Sequence, residues 1–373
     1  MSISTDYIEE IMVVIPVFNC KNYITDAVES IKRQPYKKIF VILVDDGSTD
    51  GSSDICDDIA KKSDRIFVIH KRNAGVSAAR NAGIEFALSA CEGAECNYYI
   101  SFLDADDAWM YNFFDADVNH IMAGKYDLIG FQSCYVNQEF TRRNEPENLK
   151  EGEYKGGTSA IWIHATQHFG AMLYSCEMLK KYNLRFQEDL KYTEDRIFSM
   201  SALYLAERIV LKNKLMLLYR QNYHSVMHVR AMGISHYAPI IHAHLMLDRN
   251  MALFQNDKRN ELTEGRKLAS IYVTDMADEH FSHFGSMREF KCFLSKNEDR
   301  DDLIPLLNGE NPCIPANNTF QKICCHPVKY VLIKYLKGMV YIPRRLLAKS
   351  SFIRKLRDMR RFPIVMSIRR GIK

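Results

Sequence analysis

Tyr98-Tyr99-Ile100-Ser101-Phe102-Leu103-Asp104-Ala105-Asp106-Asp107 passes from a run of strand-forming residues straight into three carboxylates. Asp104 and Asp106 are two positions apart, so a chain curling away from a buried strand can turn both toward one hard cation, which takes oxygen ligands and often substrate phosphates as well. Asp is equally at home in a plain solvated turn. The stretches on either side decide between the two.

Upstream, Ile11–Phe18 is a continuous apolar run suited to a strand buried on both faces, and residues 22–33 place Ile24, Ala27, Val28 and Ile31 at helical spacing. Ile39–Val44 repeats the pattern and ends at Asp45-Asp46-Gly47-Ser48-Thr49-Asp50, where Ser48, Thr49 and Asp50 are candidate N-caps for a second helix carrying Ile55, Ile59 and Ala60. A third strand over 65–69 leads through Asn73-Ala74-Gly75 into a helix rich in small residues that runs to Leu88. Strands alternating with helices predict right-handed crossovers and a mostly parallel sheet whose ligands sit at the carboxyl ends of the strands. Phe18, Asp45, Asp46, Asn73 and Asp104–Asp107 all fall at such ends, which makes a nucleotide-sized crevice the leading explanation of the acids. A dinucleotide fold would need a glycine-rich turn after the first strand. That turn reads Pro16-Val17-Phe18-Asn19-Cys20-Lys21 and has no glycine, so phosphates held here need another counter-charge.

Downstream, residues 126–131 read as a strand, 137–157 as a polar loop, and 176–182 as a short helix. Glu194-Asp195 opens an amphipathic helix through Ile197, Ala202, Leu203 and Ala206. The helix dipole favours ionised acids in a first turn, so the pair is either a cap or a general base with its support. Residues 210–219 read as a further strand. His224 and His228 suit metal or phosphate in type, although a lone histidine is more often structural. Trp occurs only at 109 and 162, so the Gln-x-x-Arg-Trp motif of processive synthases is absent.

The 373 residues have room for two domains. The formal charge of +4 conceals a strong asymmetry: residues 329–373 carry fourteen Lys or Arg against Asp358, leaving everything before them at about −9. A nucleic-acid partner is not suggested by such a body. The basic tail interleaves Leu332, Leu336, Met339, Leu346, Ile353 and Leu356, a pattern that predicts contact with an anionic membrane surface. Ten scattered cysteines without a Cys-x-x-Cys pair, together with an N-terminus lacking an export signal, read as reduced thiols in the cytoplasm. No apolar run approaches a membrane span.

Four segments in order, Ile15–Asn19, Val44–Asp50, Asn73–Asn81 and Leu103–Asp107, resemble the signature of family 2 glycosyltransferases of the GT-A fold. The resemblance is strong over roughly the first 130 residues and looser to about Met227. It implies an α/β GT-A domain, a mostly parallel sheet flanked by helices, over 1–230, with 1–130 binding nucleotide sugar and 131–230 serving the acceptor. A helical extension over 231–328 and the tail 329–373 would follow. It further implies inverting transfer of a sugar from a nucleotide diphosphate donor, usually a UDP-sugar, to a hydroxyl of a glycan or lipid-linked acceptor in surface polysaccharide synthesis, at the cytoplasmic membrane face. Pro16, Val17 and Phe18 with Asp45 and Asp46 would hold the base, while Asn73 and Arg80 would line the diphosphate side. Asp104 would approach ribose and metal, and Asp106 would be the principal ligand of Mg2+ or Mn2+. Asp195 would be the base with Glu194 supporting the acceptor, and Asp107 would either join its neighbours or cap a following helix. Two rivals are a nucleotidyltransferase and an inactive GT-A binding subunit.

Overall fold

The computed structural model describes residues 9–92, 98–141, 143–146, 148–156, 168–190 and 194–221. The chain divides into two compact units, Met1–Ala269 and Ser270–Lys373, and every described residue belongs to the first. The predicted helical extension, the basic tail, His224 and His228 lie outside the described residues.

The unit is built on one nine-stranded sheet. Strand β1 (Glu10–Val17), helix α1 (Ile24–Lys32), β2 (Ile39–Asp45), α2 (Ser52–Ala60), β3 (Ile66–His70), α3 (Val76–Ala90) and β4 (Tyr98–Phe102) alternate as the hydrophobic pattern predicts. After them come β5 (Ala108–Trp109), α4 (Ala116–Met122), β6 (Leu128–Val136), β7 (Gly152–Tyr154), β8 (Met172–Ser175), α5 (Cys176–Lys181), α6 (Glu194–Leu205) and β9 (Ile209–Arg220). The order across the sheet is β3-β2-β1-β4-β8-β6-β9-β5, with β7 also pairing β9. β1 through β4 pair in parallel, β8 runs against both its neighbours, and β6 and β9 are parallel to each other. Passing through the reversed β8 restores the original direction, so six of the nine strands point the same way. The carboxyl ends of β4, β6 and β9 therefore share one edge of the sheet, and the short segment leading into β8 returns to that edge.

β1 explains why the central strands are apolar throughout. Ile11, Val13, Ile15 and Val17 enter the core layer shared with α1, whereas Met12 and Val14 enter the layer shared with α3 and, beyond it, α5 and α6. Both faces are covered, so neither can be polar. The second layer is tight: a Cβ built on Gly83 would lie 2.3 Å from Val14 Cγ1, so α3 can approach β1 this closely only with glycine there.

Five elements depart from the sequence reading. The N-cap of α2 is Gly51 at φ +96° without a side-chain cap, not Ser48, Thr49 or Asp50; Asp50 instead binds Ser52 and the Lys21 amide. β6 continues to Val136, five residues beyond the predicted strand, because β9 supplies a long parallel partner. The short strands β5, β7 and β8 carry no periodic pattern of their own, and each exists through its pairing with a longer neighbour.

Candidate active site

The first two strand exits are stitched together. Asn19, in the left-handed region at φ +53°, accepts the Thr49 amide on Oδ1 at 2.8 Å, and its own amide donates to Ser48 Oγ at 3.1 Å. Pro16 sits in register with Val44, Val17 is fully buried, and Phe18 projects with 48% of its surface exposed. An exposed aromatic beside a set of converging loop ends is available to a flat ring.

Asp45 and Asp46 part company because successive side chains of a strand leave on opposite faces. Asp45 is engaged by its own turn: Oδ1 accepts the Ser48 amide at 3.0 Å, and Oδ2 accepts Ser53 Oγ at 2.6 Å and meets His70 Nδ1 at 2.9 Å. Burial works against its charge, but the hydrogen bonds from Ser48, Ser53 and His70 prevail and hold its pKa below the ordinary value. His70 reaches Asp57 on α2 with its other nitrogen at 3.0 Å. Asp46 faces the third exit, where Oδ1 accepts Lys71 Nζ at 2.6 Å and the Ala74 amide at 3.0 Å while Oδ2 accepts the Gly75 amide at 2.8 Å. Gly47, at φ +75°, completes this junction: a Cβ on it would stand 3.0 Å from the Asn73 backbone nitrogen. Asn73 itself is exposed on the loop so formed.

Arg80, which the family resemblance sets on the nucleotide and diphosphate side, meets two carboxylates. It is only 4% exposed at its side chain, and it donates from Nη2 to Asp104 Oδ1 at 2.7 Å and from Nη1 to Glu194 Oε1 at 2.9 Å. Its guanidinium stands 4.4 Å from the Phe169 ring centroid and 5.2 Å from that of Phe186. Burial disfavours its charge, yet the charges of Asp104 and Glu194 outweigh this and hold it firmly protonated. One side chain thus joins the acids after β4 to the acidic start of α6, 114 residues away from itself.

Among those acids, burial and then the neighbouring Asp104 charge push Asp106 up to about 6. Asp107 is no helix cap. The element after it is β5, and its buried carboxylate accepts the Arg220 amide at 2.8 Å, fastening the β4 exit to the end of β9. Burial, then Asp106 and Asp104, raise its pKa well above the usual carboxylate range. Arg220 is anchored from Nη2 to Asp26 on α1 at 3.0 Å and from Nη1 to the Gln138 carbonyl at 3.0 Å, with its guanidinium 4.2 Å from the Phe140 centroid.

At α6, burial followed by the Asp195 charge raises the Glu194 pKa, while Arg80 opposes the rise. Asp195 Oδ1 accepts the Arg196 amide at 2.7 Å. Phe198, the aromatic that follows, is a core residue stacked on Phe186 with ring centroids 3.9 Å apart. Tyr135, His168 and Tyr219 form an aromatic group, with Tyr135 edge-to-face to both partners and Tyr219 tilted against His168, Tyr219 lying 5.4 Å from Tyr135 and 4.7 Å from His168 by ring centroid. Burial and then the charges of Asp107, Asp104 and Asp106 raise the Tyr219 pKa. No sequence signal marked the three rings as a group, because they come from three separated elements.

The model of glycosyl transferase family 2 matches residues 12–183, the stretch containing all four strand exits. Residues 12–183 thus carry a glycosyl transferase family 2 domain. The uncharacterized glycosyltransferase EpsJ of Bacillus subtilis (strain 168) is 30% identical over 249 residues, covering 63% of this chain and 66% of EpsJ. The minor teichoic acid biosynthesis protein GgaA of the same organism is 30% identical over 195 residues, covering 50% of this chain and 41% of GgaA. The matches therefore span less than two thirds of each relative's own length. Among solved structures, S. aureus TarS 1–349 in complex with UDP-GlcNAc superposes with a TM-score of 0.59 at 20% identity, over 88% of this chain and 92% of that one. The complex of TarS 1–349 with UDP gives the same score at 18% identity. These likenesses identify the architecture as GT-A.

For a family 2 domain, the donor set at the β4 exit fits a divalent cation. Asp104 and Asp106 offer hard oxygen atoms, and the upward pKa of Asp106 marks two carboxylates that a cation would reconcile. Among the described residues no group of three or more His, Cys, Asp or Glu side chains is arranged to hold a metal. The remaining positions around a cation would fall to substrate phosphate and water, the usual arrangement for magnesium.

Proposed function

We propose that this chain is an inverting, metal-dependent glycosyltransferase that moves a sugar from a nucleotide diphosphate donor, a UDP-sugar by preference, to a hydroxyl of a glycan or lipid-linked acceptor in surface polysaccharide synthesis. The observation that carries the reading is the Arg80 bridge, which brings the acids of the donor side and the Glu194-Asp195 pair to one place. The base would lie at the first two strand exits, against Phe18 and the loop that Asp46 braces. Asp104 and Asp106 would hold Mg2+ or Mn2+, which when bound neutralises the diphosphate leaving group. Asp195 would take the proton from the acceptor hydroxyl, and Glu194, tied to Arg80, would fix the start of α6 rather than meet the acceptor on its own.

The likeness to GgaA, a minor teichoic acid biosynthesis protein, supports a surface-polymer setting, and the likeness to TarS 1–349 in complex with UDP-GlcNAc supports a UDP-sugar donor. Among the described residues no helix is long and apolar enough to cross a membrane. The proposed membrane contact rests on the basic tail, and deleting residues 329–373 should shift the protein from the membrane fraction to the soluble one. The deciding experiment is a panel of sugar nucleotides with Mg2+ or Mn2+, scored by release of nucleoside diphosphate in the presence of acceptor. Consumption of a nucleoside triphosphate with a sugar phosphate would establish the nucleotidyltransferase reading in its place. Donor binding without turnover would establish the inactive binding subunit.

A further inference from the structure

Cys91 and Cys176 are separated by 85 positions, yet their sulfur atoms lie 3.6 Å apart. Cys91 caps the carboxyl end of α3 and is partly exposed; Cys176 is the first residue of α5 and is 6% exposed. Both are free thiols. Cysteine packs readily as a small apolar residue, so contact alone would be unremarkable. The asymmetry of the pair adds something: one residue is partly exposed, and the other is buried against it.

We propose that Cys91 and Cys176 form a two-thiol oxidation site that closes to a disulfide joining α3 to α5 when it meets a small-molecule disulfide oxidant. A disulfide has a sulfur separation near 2.05 Å, so closure asks the two atoms to approach by about 1.5 Å. Each sits at a helix end, where side-chain rotation is less enclosed than in mid-helix. In the first step the Cys91 thiolate attacks one sulfur of the oxidant, forming a mixed disulfide and expelling one thiolate, which takes up a proton to leave as a thiol. In the second, Cys176 gives its proton to solvent and attacks the Cys91 sulfur, forming the internal bond and releasing the second thiol. Two protein thiols are oxidised and one oxidant disulfide is reduced to two thiols, so electrons and protons balance. The hydrogen bond with Cys91 and then burial raise the pKa of Cys176, which keeps it a protected thiol until its neighbour is activated. The bond would tie the helix that carries Arg80 to the helix that follows β8, joining donor and acceptor halves at the end of α3 opposite the site.

The test uses the full chain treated with oxidised glutathione, alkylated and digested with trypsin for mass spectrometry. Cys91 and Cys96 share one tryptic peptide, so fragment ions and a Cys96→Ser variant are needed to place the link. The expected product joins the peptides of Cys91 and Cys176 with loss of two hydrogen atoms, persists in Cys96→Ser, and is removed by dithiothreitol. In Cys176→Ala, Cys91 should carry glutathione instead. Oxidation should raise the thermal midpoint of the wild type and leave that of Cys91→Ser unchanged, which guards against a folding defect at the buried position. A wild-type protein in which Cys91 stays free, keeps its glutathione, or links to Cys96 overturns the proposal.

Discussion

The donor and acceptor halves of this domain are assembled by different means. In the donor half, the groups at the exits of β1, β2 and β3 are gripped by partners about thirty positions away or fewer: Asn19 by Ser48 and Thr49, Asp45 by Ser48 and His70, Asp46 by Lys71, Ala74 and Gly75. The ties that fasten the acceptor half to the donor half span more than a hundred positions, as between Arg80 and Glu194, Asp107 and Arg220, and Arg220 and Asp26. Short-range ties leave motifs. Long-range ties leave isolated residues whose meaning depends on where the sheet carries them. The comparison teaches that Arg80 belongs to both halves, since it holds one acid from each.

The sharpest division of roles sets Asp106 against Asp195. Asp106→Ala should abolish metal-dependent turnover and weaken donor binding. Asp195→Ala should lower kcat by about 10²–10⁴-fold, the contribution typical of a general base, while leaving donor affinity unchanged in calorimetry. Equal loss of donor binding in both variants would erase the distinction between the halves.

Arg80 tests whether the halves are mechanically joined. Arg80→Met leaves Asp104 and Glu194 without their shared cation and should destabilise the fold by about 3–5 kcal/mol, as removal of one partner of a buried ion pair does. Arg80→Lys keeps a positive charge but lacks the planar fork that reaches two carboxylates at once. It should fold with a smaller loss in urea denaturation and impair transfer more than donor binding. A lysine variant with wild-type transfer would mean the two acids need no common support.

The smallest effect concerns the donor half alone. The hydrogen bonds of His70 to Asp45 and Asp57 raise its pKa, those bonds outweighing the opposing effect of burial. A histidine whose folded pKa exceeds its unfolded value, about 6.5, stabilises fully below that value and loses the contribution as pH rises through the folded pKa. Wild type should therefore exceed His70→Gln in urea midpoint at pH 6, and the gap should narrow by pH 8. A gap independent of pH would leave His70 as a neutral spacer between β2 and α2.

Much of the fold was legible because the central strands β1, β2 and β4 follow one physical rule: a strand covered on both faces is apolar over most of its length. The turns at their ends were legible because acids and glycines there answer to local backbone geometry. β5, β7 and β8 were not, since strands of two to four residues have too few positions to show a period and depend on a neighbour's edge. Asp107 shows the same limit within the site, because a carboxylate one residue past a metal motif reads as a ligand or a cap until β9 brings the Arg220 amide to it.

Sequence alone determined the class of the sheet, the four strand exits and the acids placed there, because side-chain periodicity and turn chemistry are properties of neighbouring residues. Tertiary structure alone decided that Arg80 spans Asp104 and Glu194, that Asp45 braces its turn while Asp46 braces the next loop, and that Tyr135, His168 and Tyr219 meet. The parting of Asp45 and Asp46 follows from the opposite faces of one strand, whereas the other two outcomes depend on the reversal at β8, which returns β6 and β9 to the direction of β4 and so brings residues far apart in sequence to one edge.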